Sequence, residues 1–362
     1  MKEGWTYKTI KECCTELFAG GDVPKPDVSK NKTQYFTVPI YTNGAENEGL
    51  YGYTNNARVY EPAVTISARG TIGATFRRYT PFYPAIRLIT AVPKRDLLSI
   101  DYLYYALKTL SVGDSGTSIP QLTIPKIKNL VLPVPPLSEQ QSIVDYLDSA
   151  FAKIDTMKTN AEKALNEAKS LFQATLKEML EPKEGWEEKT LPEISENLDS
   201  IRKPVTKNKR TAGIYPYYGA SGIVDYVDDY LFDEDLLCVS EDGANLLMRT
   251  YPIAFPISGK VWVNNHAHVL RFKSKITQKF VEYYFSEMKL DEYITGAAQP
   301  KLTQKALNSI IINMPISLEK QQSIVETLDS LKSKVDRLQE NYDKISQECD
   351  ALKQAILRQV FE

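Results

Sequence analysis

The 362-residue chain lacks most of the residues that announce a chemistry. It has two histidines, His266 and His268, and four cysteines, Cys13, Cys14, Cys238 and Cys349, none in CxxC spacing. Adjacent Cys13 and Cys14 cannot close an ordinary disulfide with each other. This cysteine usage fits a reducing cytoplasm and speaks against a structural zinc. No apolar run reaches the ~18 residues of a membrane span. The opening MKEGWTYKTIKECC has a polar group every few residues and no apolar h-region, so no secretory signal is expected. There is no GxxxxGK(S/T), and the nearest look-alike, PISGKV, lacks the upstream glycine and the Ser/Thr. An Asn-Pro-Pro-aromatic run and a Gly-rich S-adenosylmethionine loop are missing too, so no methyl transfer is expected from this chain. His266 and His268 would share a strand face, which makes two metal ligands conceivable, but no third is identifiable and no metal is expected. The acidic stretches DYVDDYLFDED and SEDG have no lysine at a catalytic spacing and read as a solvated strand–turn–strand rather than a nuclease centre.

What the chain does have is a repeat. EQQSIVDYLDSAFAKID begins at Glu139 and KQQSIVETLDSLKSKVD at Lys320, 181 residues later, half the length of the chain. EGW at Glu3–Trp5 returns at Glu184–Trp186, and KTI at Lys8 returns as KTL at Lys189. Inside the halves the offset drifts. Gly49 matches Gly222, Ser67 matches Ser240, Gly70 matches Gly243, and Leu88 is aligned with Leu270. The other side chains of the middles differ. One scaffold is used twice, with a different surface each time. The middles read as α+β: strands such as ARVYEPAVTISARGTIGATF alternate apolar and polar residues and end in glycine turns, and SIDYLYYALKTL and TQKFVEYYFSEMKL read as short amphipathic helices.

From about 138 to 180 and from about 319 to 361 there is neither glycine nor proline. Ser138 and Ser317 are expected N-caps. In the second run Leu328, Leu331, Val335, Leu338, Tyr342, Ile345, Cys349, Leu352 and Ile356 form a heptad seam. In the first, Leu147, Ala150, Ile154, Met157, Ala161, Ala164, Ala168, Leu171 and Thr175 stand in the same register. A small seam facing a large one favours an antiparallel pair within the chain over a homodimer. Each helix would be roughly 65 Å long at ~1.5 Å per residue. The expected fold is thus α+β, pseudo-two-fold symmetric: mixed α/β domains over 1–137 and 182–318, separated by long helices over 138–181 and 319–362 that pack as an intrachain antiparallel coiled coil.

Net charge is −2, but residues 1–137 carry 16 Lys and Arg against 11 Asp and Glu. A near-neutral total does not exclude nucleic acid, because phosphate binding needs only a local basic face. The order of variable segment, PPLSEQQSIV with a long helix, EGWEEKTL, second variable segment, and QQSIV with a long helix resembles the DNA-specificity subunit of type I restriction–modification systems over the whole chain. The resemblance implies a non-catalytic subunit with two target-recognition domains, each reading half of a split site in double-stranded DNA. The helices would set the gap between the halves. Implied partners are two copies of a methyltransferase subunit and a restriction subunit. S-adenosylmethionine would belong to the methyltransferase, and this chain would hold no cofactor. A coiled-coil scaffold that binds only proteins is the alternative.

Phosphate contacts need Arg and Lys, and base reading needs Arg, Asn, Gln, Glu or Asp on groove-facing loops. The first segment offers Thr42 and Asn43, then Arg69, Thr71, Arg77 and Arg78 around Gly70 and Gly73. The second offers Arg202, Lys203, Lys207, Lys209 and Arg210, then Tyr218, Ser221, Glu241, Asn245 and Arg249. A third equivalent loop carries Ser118 and Gln121 in one half, Gln299 and Lys301 in the other. Ala68–Arg69 is replaced by Glu241–Asp242 before the shared glycine. An acidic side chain accepts from cytosine N4 where Arg seeks guanine, so the two half-sites are expected to differ. Trp5, Trp186 and QQSIV lie in the shared parts, where both core and interface roles are open.

Overall fold

A computed structural model describes residues 4–109, 122–296 and 298–361. The chain divides into two units, residues 1–162 with 342–362, and residues 163–341.

In unit 1, β1 (Thr6–Thr9), α1 (Ile10–Cys13) and β2 (Cys14–Ala19) lead to the hairpin β3 (Val38–Tyr41) and β4 (Leu50–Thr54). Then come β5 (Ala63–Ile66), β6 (Thr75–Arg78), β7 (Tyr83–Pro84), β8 (Ile89–Pro93), α2 (Ile100–Lys108), α3 (Ile124–Ile127), β9 (Val131–Val134) and the long helix α4 (Leu137–Leu180), which continues into unit 2. An antiparallel sheet has the order β2-β8-β5-β6, a second β4-β3-β7, and β1 pairs with β9. Alternation packs one sheet face on α2: Val64, Ile66, Ile89 and Ala91 join Leu98, Tyr102, Leu103, Ala106 and Leu107 in one buried cluster. Each such large side chain stabilises by about 1.5–3 kcal/mol. The Ser99 hydroxyl caps α2 by accepting from Tyr102 N–H at 3.1 Å. Gly20 is obligatory, since a Cβ there would lie 2.5 Å from the Pro84 carbonyl oxygen.

Unit 2 repeats this order: β10 (Trp186–Thr190), α5 (Leu191–Ile194), β11 (Ser195–Asn197), β12 (Ala212–Gly219), β13 (Gly222–Val227), β14 (Phe232–Asp233) and β15 (Leu236–Ser240). There follow α6 (Asn245–Met248), β16 (Ala254–Ile257), β17 (Lys260–Val263), β18 (Ala267–Phe272), α7 (Lys275–Glu287), β19 (Ile294–Thr295), β20 (Lys301–Leu302), α8 (Gln304–Asn308) and β21 (Ile311–Pro315), then the second long helix α9 (Leu318–Phe361). The sheets are β11-β18-β15-β16 and β13-β12-β17-β14, with β10 on β21. The ladder corrects one alignment. Ile66 faces Ile89 and Ser240 faces Ala267, so once Ser67 is matched with Ser240, Leu88 corresponds to Ala267 and not to Leu270.

The long helices run antiparallel where they meet. In unit 1 the Cys349 thiol lies 3.9 Å from the Ile154 carbonyl, Lys158 reaches Asp350 at 3.4 Å, and Lys353 pairs with Asp155. In unit 2 Lys169 donates to Gln339 at 2.7 Å. Half of the expected seam is displaced. Leu147, Ile154, Leu328 and Cys349 are buried, but Met157 is 59 % exposed, Leu171 60 %, Leu338 36 % and Leu352 48 %. Phe151, Leu165 and Leu176 are buried in α4, and Phe172 is partly buried. Positions i+3 and i+4 lie on opposite sides of position i on a helix. Phe151 and Leu165 bury more area than Ala150 and Ala164, so the helix turns that way. A second apolar stripe runs at seven-residue spacing, Met157, Ala164 and Leu171 exposed in α4, matched in α9 by exposed Leu338 and Leu352 with half-buried Ile345 between them.

The helix starts explain the repeated glutamine. Ser317 does precede its helix and accepts from Lys320 N–H at 3.4 Å, whereas Ser138 lies inside α4, which opens directly after Pro136. Buried Gln140 accepts from Ser99 N–H and donates to the Leu97 and Pro135 carbonyls, each at 2.9 Å. Its counterpart Gln321 accepts from the Thr277 hydroxyl at 2.9 Å and donates to the Pro315 carbonyl at 2.8 Å. Each clamps a long helix to its sheet exit. Trp5 donates to Glu139 at 2.9 Å, and Trp186 packs edge-on against Phe280. Among the described residues no helix is long and apolar enough to cross a membrane.

Candidate nucleic-acid interface

At one end of the unit 1 sheets three connections converge: Thr42–Gly49 after β3, Ser67–Ala74 after β5, and the turn between β7 and β8. Asn43 ties them together. Its Oδ1 accepts from Ala68 N–H at 2.7 Å and its Nδ2 donates to the Ile86 carbonyl. The Ser67 hydroxyl accepts from Gly44 N–H at 3.0 Å. Thr42 closes its own loop, its N–H donating to the Gly49 carbonyl at 2.8 Å. Arg69 and Thr71 lie exposed on the loop between.

Arg77 and Arg78, expected beside them, point elsewhere. Alternation along β6 puts them on opposite faces. Arg78 is buried, donating to Thr65 at 3.1 Å and to Glu48 at 2.9 Å, with its guanidinium over the Tyr41 ring at 3.5 Å. Burial pulls its pKa below the ordinary value. Arg77 pairs with Asp101 at 2.8 Å and Asp148 at 3.4 Å and stacks on Tyr104, which ties the sheet to α2 and α4. Ser118 and Gln121 lie outside the described residues.

Unit 2 builds the same corner around charge. His268 is fully buried, its Nδ1 2.6 Å from Asp199 Oδ2 and its Nε2 2.8 Å from the Leu302 carbonyl. Arg202 donates to Glu241 at 2.6 Å and reaches Asp199 at 3.2 Å, and Lys301 lies 3.1 Å from Glu241. Burial opposes ionisation of Asp199, but the bonds from His268 and Val269 N–H outweigh it and hold its pKa below 3.8. Burial likewise opposes ionisation of Glu241, and Arg202, His268 and Lys301 bring it below 4.5. The structure does not bring His266 and His268 together as ligands: His268 groups with Asp199 and Glu241, their ligand atoms within 4.8 Å of one another, while His266 pairs with Asp242. The Arg202 guanidinium already bonds both carboxylates, so the cluster acts as an ion-pair network.

This accounts for several expected DNA contacts. Arg202 and Glu241 are committed inward. Arg249, in a left-handed conformation, donates to the carbonyls of Phe285 and Ser286, each at 3.2 Å, and of Met288. Asn245 exchanges two bonds with the Tyr251 backbone, and Tyr218 stacks on Phe255. Arg210 pairs with Asp225 at 2.9 Å and lies over the Tyr217 ring. Lys203, Lys207, Lys209, Ser221, Gln299 and Lys301 are exposed. Gln299 and Lys301 lie next to the Glu241 loop, because Gly243 N–H donates to the Pro300 carbonyl at 3.0 Å and Asp242 bridges Lys301.

Sequence reasoning passed over the turn before β8. Both units place two turn residues there, Ile86–Arg87 and Asn265–His266. Counting along the ladder from Ser67 and Ser240, rather than matching leucines, would have found them.

A doubled α+β scaffold with diverged loops at the same sheet corner, joined to long paired helices, defines a class of protein with one frame and two independently varied surfaces. The chain belongs to the type I restriction modification DNA specificity domain family, whose model matches residues 2–167 and 183–347. A Haemophilus influenzae protein named as a type I restriction enzyme specificity subunit is 37 % identical over 157 residues, covering 43 % of this chain and 40 % of that protein. The chain thus spans less than half the length of that relative in the matched stretch. The type I restriction enzyme EcoprrI specificity subunit of Escherichia coli is 23 % identical over 354 residues, 91 % of this chain and 84 % of that one. In fold, the chain is similar to one solved in a study of type I R-M system complex assembly and conformational transition, with TM-score 0.76, 16 % identity, and 99 % and 97 % of the two chains covered. The HsdS subunit from Thermoanaerobacter tengcongensis gives TM-score 0.60 at 17 % identity, covering 100 % of this chain and 97 % of that one.

Proposed function

We propose that this chain is the non-catalytic DNA-reading subunit of a type I restriction–modification complex, acting in the cytoplasm. Each unit reads one half of a split site in double-stranded DNA. The observation that carries this reading is the conserved corner with exchanged chemistry: the same sheets and the same serine anchor present Ala68–Arg69 in one unit and Glu241–Asp242 in the other. Phosphate contact falls to exposed cations such as Arg69, Lys203, Lys207, Lys209 and Lys301, with Thr42, Thr71, Ser221 and Gln299 at the rim. Two methyltransferase subunits dock on the shared parts, where the exposed stripes of Met157 and Leu171 and of Leu338 and Leu352 repeat at matched positions. They bring S-adenosylmethionine and the methyl-transfer chemistry, and a restriction subunit joins the assembly.

The test is methylation of random-sequence DNA by this chain, by its cognate methyltransferase subunit, and by both. The mixture alone should modify one split motif. Methylation by the chain alone, or the same motif from the methyltransferase alone, overturns the reading.

A further inference from the structure

The turn before β8 stands out in unit 1. Ile86 and Arg87 both have left-handed backbones, with φ of 51° and 64°. For a β-branched residue that conformation is a true outlier, and such strain persists only where the surroundings over-determine it. Here they do. Ile86 N–H donates to the Gly21 carbonyl at 2.7 Å, Arg87 N–H to Gly20 at 3.1 Å, Leu88 N–H to Ala85 at 3.1 Å, and Asn43 holds the Ile86 carbonyl. The strain serves no burial, because Ile86 is 45 % exposed and Arg87 is exposed as well. The Arg87 guanidinium has no hydrogen-bond or ion-pair partner among the described residues.

Unit 2 has a turn at the same place, Asn265–His266, without the left-handed backbone, and the strand registers fix the correspondence. Ile40 and Tyr41 pair in parallel with Tyr83 and Pro84, as Tyr217 and Tyr218 do with Trp262 and Val263. Beyond the turn, the matched serines bring Leu88 into correspondence with Ala267. Arg87 therefore occupies the place of His266, and Arg69 the place of Asp242. In unit 2 those two side chains touch, His266 Nδ1 lying 2.9 Å from Asp242 Oδ2, while Glu241 N–H donates to the His266 carbonyl at 2.9 Å. In unit 1 the Asn43 amide bridges residues 68 and 86, immediately before the two arginines.

We propose that this pair of positions is the base-reading determinant that distinguishes the two half-sites, Arg87 with Arg69 in unit 1 and Asp242 with His266 in unit 2. The inference rests on the DNA-reading function above and names its residues. Arg87, held out on a rigid turn with its donors unspent, fits guanine O6 and N7 in the major groove. Asp242 accepts from cytosine N4, and His266 orients its carboxylate. Asn43 is the positioning residue that keeps the unit 1 turn and loop in step.

The experiment uses the full chain in complex with its cognate methyltransferase subunit on a random-sequence DNA library, with methylated motifs read by sequencing. Arg87→Ala and, as an independent check, Arg87→Gln should relax a guanine preference roughly tenfold at one position of one half-site and leave the other half-site intact. Asp242→Asn should relax one position of the other half-site only. An unchanged motif overturns the proposal. So does a uniform loss across all sequences with a shallower salt dependence, which would make Arg87 a phosphate contact. A wild-type complex without any defined motif overturns instead the function on which the proposal rests.

Discussion

Glu241 and Asp242 are neighbours in the chain and both lie mostly inside, yet one is wrapped in cations and the other pairs with the half-exposed His266. The sequence shows that an acidic pair replaces Ala68–Arg69, but not which acid takes the Arg202 guanidinium. That choice depends on Arg202 and Lys301, which come from segments far away in the chain. Arg78 has the same lesson, because its partner Glu48 is 30 residues away and its neighbour Arg77 faces the other side of the strand. The buried network has a pH signature. Asp199 and Glu241 titrate below their ordinary values of 3.8 and 4.5, so their stabilisation is complete above the normal carboxylate range and disappears as acid protonates them. Arg202→Ala leaves two largely buried carboxylates without their guanidinium and should cost about 3 kcal/mol at neutral pH. It should also raise the pH at which unit 2 melts on acidification. Thermal unfolding of wild type and variant between about pH 6 and pH 3 checks both. An unaltered acid midpoint would show that the network does not stabilise the fold.

At the scale of elements, the seven-residue repeat is plain in the sequence, and so is the shared register of the two helices. Which face it buries is not, because i+3 and i+4 both lie within reach of a seam. Aromatic bulk decides it: Phe151 goes in and Ala150 is left near the rim. The repeated glutamine is a similar case, since a polar residue at the head of an amphipathic helix reads as surface until its backbone partners are seen. Glutamate at both Met157 and Leu338 should leave helix content and melting temperature nearly unchanged, as surface substitutions do, within about 0.5 kcal/mol. The same double variant should lose most co-purification with the methyltransferase subunit. Full retention of that subunit would place its docking surface away from the stripe.

For the whole molecule, the duplication visible in the sequence is not the same as the division into units. Unit 1 closes with residues 342–361, which belong to the other half of the repeat. Leu357 and Phe361 enter its core, the Phe361 ring lying 5.1 Å from that of Tyr102. Removing residues 342–362 should therefore destabilise unit 1 by several kcal/mol, since each large core side chain lost costs about 2–5 kcal/mol. Unit 2 keeps all its strands and should hold its amide protection. Hydrogen exchange resolved by segment measures the two separately, and equal loss in both units would contradict the division. The same arrangement sets a timetable for synthesis. The strands of unit 1 leave the ribosome early, but the helix that completes its core is made only after all the strands of unit 2. At about 5–20 residues per second the unfinished surface waits roughly ten to forty seconds. During that interval the nascent chain needs shelter, and chaperone demand should fall on the first half of the chain, well before the second is made.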